Sequence, residues 1–171
     1  MTQRRLKALL GDYPGTQALK KGDVRSDAIA FDFADVKVPS SAFKRVVRDI
    51  EFDVGELAVF TYIIARAFNR PLELLPVVLL ARFQHSYLLY NAERGVIKPG
   101  DLNGKRIGIR SYSVTTSAWL RGILQADAGV DPKSITWMTF EEPHVAEFKD
   151  PPNVVRATEG KELTDMLFAG E

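Results

Sequence analysis

The 171-residue chain contains no cysteine. Disulfides, thiolate zinc sites and a cysteine nucleophile are therefore excluded. Histidine is nearly absent too: His85 and His144 are the only two, too few to form a metal site unaided. Excess charge of one sign is also missing, with 23 basic and 22 acidic side chains giving a net charge of +1. A nucleic-acid surface needs a concentrated basic excess, so nucleic acid is not an expected partner. No run approaches the ~20 apolar residues of a membrane span, and no membrane partner is expected. The apolar stretch at the N-terminus, residues 6–10, is interrupted by Lys7 and cannot serve as a signal-peptide core. The expected location is the cytoplasm. Phosphate-binding glycine spacing and a Gly-x-Ser-x-Gly elbow are both missing.

What is present is ordinary globular composition, 46% hydrophobic and 26% charged. The pattern along the chain predicts strands at 6–10, 28–33 and 52–54. It predicts helices at 16–21, from Pro39 to Ile50, and at 55–68. The last is apolar almost all round, which predicts burial. Apolar runs at 74–80 and 86–90 lack polar alternation, as expected for strands covered on both faces; Pro76 makes the first an edge or bent strand. A turn-rich connector at 98–105 feeds a strand at 106–110, a helix from Thr115 to Ala128 stopped by Gly129, strands at 135–139 and 154–157, and a short helix at 161–169. Alternation of strand and helix in two blocks predicts an α/β fold with mostly parallel sheets. The expected division is a first lobe at 1–92, a connector at 93–104 and a second lobe at 105–171.

Ligands of open α/β sheets gather beyond the carboxyl ends of the strands. Three loops occupy such positions. Gly11-Asp12-Tyr13 follows the first strand, and Arg82-Phe83-Gln84-His85 separates the two apolar runs. The third runs from Ser111 to Ser117, with hydroxyls from Ser111, Tyr112, Ser113, Thr115, Thr116 and Ser117 where a helix begins. Unpaired N–H groups and the helix dipole favour an anion there. One hydroxyl would suffice for helix capping; six in seven residues leave a bound anion as an equal alternative. Arg82 is a candidate carboxylate fork or a surface charge. His85 and His144 are candidate proton donors or structural residues. Glu141, Glu142 and Asp150 lie near His144 in sequence and could complete a metal site, although the pattern is weak. Trp119 and Arg121 lie on the same helix as Thr115 and could line the cleft.

At these loops the chain resembles the 4,5-dihydroxyphthalate decarboxylase family. The resemblance rests on Gly11-Asp12-Tyr13, Phe52-Asp53-Val54-Gly55-Glu56, Leu75-Pro76-Val77 and Arg82-Phe83-Gln84-His85. It continues through Asp101-Leu102-Asn103-Gly104-Lys105-Arg106-Ile107-Gly108, Tyr112-Ser113-Val114-Thr115-Thr116, and Trp119-Leu120-Arg121-Gly122-Ile123-Leu124. It closes on His144-Val145-Ala146-Glu147 and Asp150-Pro151-Pro152-Asn153. Gln84-His85 stands where the family often shows two histidines, and Ala58 where it tends to carry serine.

The resemblance implies a periplasmic-binding-protein-like, type 2, two-lobed α/β fold, incomplete at its C-terminus. It implies cofactor-free decarboxylation of a dihydroxylated aromatic dicarboxylate to protocatechuate, and no residue is assigned as a metal ligand. Residue chemistry then suggests His85, His144 and Glu56 as catalytic candidates. Asp12, Tyr13, Arg82, Tyr112, Ser113, Thr115, Thr116, Trp119 and Arg121 are the binding candidates for a small aromatic carboxylate. Two alternatives stay open: a non-catalytic binding protein for a small carboxylate, and an inactive fragment. An unfinished lobe would also expose apolar faces and favour self-association.

Overall fold

The computed structural model describes residues 2–171. The chain divides into two compact units, Met1–Ala81 and Arg82–Glu171.

Unit 1 is built on a parallel three-stranded sheet in the order β2-β1-β3, with β1 at Arg4–Leu9, β2 at Ile29–Phe33 and β3 at Val54–Gly55. Ala8 lies opposite Phe33 on one side and Val54 on the other. Ala8 and Leu9, at the carboxyl end of β1, are its buried residues. Helix α1 (Pro14–Lys21) follows directly. Pro14 sits in its first turn, where the missing N–H costs nothing, and Gly22 ends it in a left-handed conformation with φ 77°. Phe43, Val46, Val47 and Phe52 add to the buried apolar residues of the unit, as do Ile64 and Ala65.

Unit 2 repeats the scheme. Its parallel sheet runs β4-β5-β6, from Arg106–Ile109, Thr136–Thr139 and Val154–Arg156. Helix α3 (Thr115–Ala128) connects β4 to β5. It buries Ser117, Leu120 and Leu124, which share one face at three- and four-residue spacing. Gly129 closes α3 at φ 63°. Leu124, Val130, Ile135 and Trp137 form the apolar core with Leu102 and Ile109. The Trp137 indole buries its one polar atom by donating to the Pro132 carbonyl at 2.9 Å. The short helix α4 (Leu163–Ala169) buries Met166.

Three expectations need correction. The expected helix from Pro39 to Ile50 is a 3₁₀ turn (Pro39–Ala42) followed by a π turn (Arg45–Asp49). Ile50 leaves that turn at φ 49° and is 39% exposed, so it drops out of the apolar stripe. Helix α2 (Val59–Ala67) is shorter than expected and buried on one face only. Thr61, Ile64 and Ala65 are covered, whereas Val59 and Ile63 are about half exposed. The runs at 74–80 and 86–90 form no strands. Leu74, Val78 and Leu89 are 61%, 78% and 73% exposed. A strand exists only when a neighbour accepts its hydrogen bonds, and among the described residues neither run finds one. Pro76 removes a donor, and the Val77 N–H turns back to the Leu75 carbonyl at 2.7 Å.

Candidate functional site

In unit 2, β4 and β5 are parallel neighbours with Ile109 opposite Thr139, so the loops beyond their carboxyl ends lie side by side. The Arg110 carbonyl accepts hydrogen bonds from Phe140 and Glu141 N–H at 3.1 and 2.8 Å and ties the two loops together. Beyond these ends the chain buries polar side chains. Ser111, Ser113, Ser117, Thr139 and His144 are all 0–3% exposed. Ser111 and Ser113 hydroxyls are 3.3 Å apart. The N-cap position of α3 is Val114, whose side chain offers no cap. The hydroxyls around this helix start therefore do not serve as its N-cap, which weakens the capping alternative. Thr115 and Thr116 are half-buried in the first turn.

Arg121, about two turns along α3, reaches back toward this loop, as helical side chains lean toward the N-terminus. Its Nη1–H donates to the Tyr112 carbonyl at 2.8 Å. Its guanidinium lies over the Tyr112 ring at 3.6 Å and 5.9 Å from the Trp137 ring. Tyr112 meets Trp137 edge-on, with ring centres 6.2 Å apart. Burial lowers the Arg121 pKa, while Tyr112 and Asp150 charges oppose that shift. It is a partly desolvated cation, stacked and oriented, whose planar fork carries further N–H donors.

Asp150 is the polar group that sequence reasoning undervalued here. Burial raises its pKa, against the pull of Arg156 and Arg121, and its buried Oδ1 has no hydrogen-bond partner. Thr139 was not singled out at all; its signal was a hydroxyl residue closing a strand. Among the described residues no three His, Asp or Glu side chains gather as a metal site, so Glu141, Glu142, Asp150 and His144 do not form one.

The remaining candidates of unit 2 lie elsewhere. His85 is exposed, with Nε2 3.7 Å from Asp127 Oδ2 in the last turn of α3. That places it about 18 Å along the helix from Thr115, at 1.5 Å per residue. Arg82 is exposed and stacks on the Tyr87 ring at 4.7 Å. Trp119 is 57% exposed, on the side of α3 away from Leu120 and Leu124. The structure thus brings Arg121 onto Tyr112, with Ser113, Thr115 and Thr116 next to Tyr112 in the chain, and leaves His85 at the far end of α3.

In unit 1, the Tyr13 hydroxyl donates to Glu56 Oε1 at 2.7 Å, and the Gly11 N–H donates to Oε2 at 2.9 Å. Buried Thr16 braces the loop, donating to the Gly11 carbonyl at 2.6 Å and accepting from the Tyr13 N–H at 3.0 Å. Asp12 points outward and pairs with Lys20 at 2.6 Å, its side chain 80% exposed.

The NMT1/THI5 like family, a periplasmic-binding-protein-like group, matches residues 60–150. The chain is 32% identical over its whole length to 4,5-dihydroxyphthalate decarboxylase of Comamonas testosteroni, covering 54% of that protein. It is 30% identical to the Pseudomonas putida protein of the same name, covering 69% of it. The chain thus spans about half to about two thirds of the length of these relatives. Among the described residues no helix is long and apolar enough to cross a membrane. With parallel sheets in both units and matches along its whole length, the chain belongs to the 4,5-dihydroxyphthalate decarboxylase family and carries the NMT1/THI5 like domain.

Proposed function

We propose that the chain serves the decarboxylation of a dihydroxylated aromatic dicarboxylate to protocatechuate, with unit 2 supplying the carboxylate site. The observation that carries this reading is the oriented, partly desolvated Arg121 guanidinium at the Tyr112 loop, beside a cluster of buried hydroxyls. A planar fork and hydroxyl donors suit a carboxylate, and a desolvated cation binds one more strongly than a solvated cation would. Ser113, Thr115 and Thr116 complete the cradle.

The chemistry follows from charge flow. A ring hydroxyl para to the leaving carboxylate gives its proton to solvent, and the ring becomes a phenolate. His144, as imidazolium, protonates the ring carbon that bears the carboxylate. The C–C bond then breaks, carbon dioxide leaves, and its electron pair returns to the ring. The product hydroxyl regains its proton from solvent. One proton, from His144, is consumed per carbon dioxide released.

His144 is preferred to His85 as donor because it follows β5 in the chain and is buried, whereas His85 is exposed beside Asp127 at the far end of α3. Replacement His144→Asn is expected to lower turnover at least about 100-fold with ligand affinity nearly kept, read by product formation and equilibrium binding. Unchanged turnover would remove His144 from the reaction.

The same proposal includes a type 2 two-lobed arrangement with lobes at 1–92 and 105–171. A second reading is a binding protein without catalysis, since the NMT1/THI5 like family also includes binding proteins. The burial of His144, 3% exposed, favours it, because a proton donor must reach its ligand. A ligand that binds and is returned unchanged decides for that reading. Self-association is part of the proposal as well, supported by the exposed apolar side chains at Leu74, Val78, Phe83 and Leu89. A monomer by light scattering at high concentration would count against it.

A further inference from the structure

Arg121 shares unit 2 with a carboxylate that is poorly satisfied. Asp150 is half-buried, and its buried Oδ1 has no hydrogen-bond partner. The segment that carries it is anchored. Asn153, three residues on, donates through its side-chain amide to the Pro132 and Ile135 carbonyls at 3.0 and 2.8 Å. The Asn153 carbonyl accepts from the Trp137 N–H at 2.9 Å. Trp137 is also the ring that the Arg121 guanidinium approaches at 5.9 Å. Burial disfavours the charged form of Asp150, and two cations favour it, Arg156 of β6 and Arg121 of α3. Arg156 is exposed and stands opposite Thr139. Arg121 in turn feels the Tyr112 phenol and Asp150. Its hydrogen bond goes to the Tyr112 carbonyl, so its tie to Asp150 is one of charge.

We propose that Asp150 is a specificity-determining residue of the Arg121 site: ionised, it competes with an incoming carboxylate for the guanidinium, and the carboxylate enters together with a proton that settles on Asp150. This rests on the reading of Arg121 as a carboxylate fork and deepens it. A bound anion cancels the Arg121 charge that Asp150 feels and adds a negative charge of its own. Arg156 alone then favours the ionised form, from an exposed position, while burial still opposes it. The Asp150 pKa, already raised, rises further. The proton comes from solvent and returns to it when the ligand leaves. The bound state therefore holds more protons between the two midpoints, both above the usual aspartate value of about 3.9. Carboxylate binding tightens as pH falls through that window. A neutral ligand leaves the Arg121 charge in place and draws no proton.

Benzoate and benzamide test this, because they share a ring and differ in charge. Both are titrated calorimetrically into the full chain between about pH 5 and about pH 8, where benzoate stays ionised. Two buffers of unlike ionisation heat give the protons taken up, and melting curves control for folding. The wild type is expected to take up a fraction of a proton with benzoate and none with benzamide. Asp150→Asn is expected to bind benzoate about fivefold more tightly at pH 8, the scale of one charge pair near a protein surface. The difference from wild type should narrow as pH falls, and benzamide affinity should not change. A gain in affinity confined to the anion is not what damage to the fold produces. Arg156→Gln, which removes the other cation, should move the window of proton uptake to higher pH.

Benzoate binding in Asp150→Asn no tighter than in the wild type, or an equal gain for benzamide, overturns the proposal and leaves the Arg121 fork standing. Proton uptake that survives in Asp150→Asn also overturns it, because the proton then sits on another group such as His144. Benzoate that fails to bind the wild type at any pH removes the fork itself and this inference with it. If Asp150→Asn does not fold, Arg156→Gln decides: an uptake window that stays where the wild type has it is equally fatal.

Discussion

Arg121 illustrates how a single residue is assigned its work by position rather than by type. Arg82 and Arg121 are both candidates on composition alone. Arg82 is exposed, and a solvated guanidinium gains little from an ion pair. Arg121 is held flat on Tyr112 and hydrogen-bonded to its carbonyl, so little side-chain entropy remains to be lost on binding. Replacement Arg121→Lys keeps the charge and loses both the stack and the fork. The expected result is about tenfold weaker binding of an aromatic carboxylate, whereas Arg82→Lys leaves affinity within about twofold. Equal effects of the two changes, measured by titration, would contradict the assignment. Position also explains what could not be read from the letters. Tyr112 and Arg121 are nine residues apart, and their contact exists only because α3 starts where it does. Asp150, likewise, draws its raised pKa from burial and not from its neighbours in sequence.

Elements bounded by local chemistry were legible. Gly22 and Gly129 close α1 and α3 in left-handed conformations, and both helices end where those glycines predict. Strands β1, β2, β4, β5 and β6 fall on their apolar runs to within a residue or two. Elements that depend on distant partners were not legible. The π turn at Arg45–Asp49 is one. Glu51, just beyond it, binds Arg45 through Oε2 at 2.5 Å and Lys7 of β1 through Oε1 at 2.7 Å. These hydrogen bonds, that to Arg45 first, lower the Glu51 pKa to about 2. A carboxylate with a depressed pKa contributes stability that is complete above its ordinary value of about 4.3 and lost as pH falls through about 2. Glu51→Gln is therefore expected to melt slightly below the wild type at pH 7. The gap should close between about pH 4 and about pH 2, and shrink in high salt because the groups face solvent. A gap that persists at pH 2 would show that the loss comes from packing instead.

On the scale of the whole molecule, the units share a plan of three parallel strands with a crossover helix, and each carries candidate residues at strand ends. Alternation of element types announced that plan in the sequence. The apolar runs at 74–80 and 86–90 announced strands as well, yet they lie exposed without a ladder. Apolar composition reports what a segment would bury, whereas pairing depends on a neighbour that the segment itself does not encode. Chymotrypsin is accordingly expected to cut first within residues 74–90, at Leu74, Phe83 or Leu89, and to spare α3 and the β4-β5-β6 sheet. A first cut inside α3 would contradict this account of where stability resides.

The central claim is that the Arg121–hydroxyl cradle serves carbon–carbon cleavage and not mere capture. The most direct measurement follows the aromatic dicarboxylate by chromatography beside carbon dioxide release, for the wild type and His144→Asn. The account predicts one protocatechuate per carbon dioxide with the wild type, and a loss of about 100-fold with His144→Asn. A wild-type chain that binds the dicarboxylate and returns it intact would contradict it.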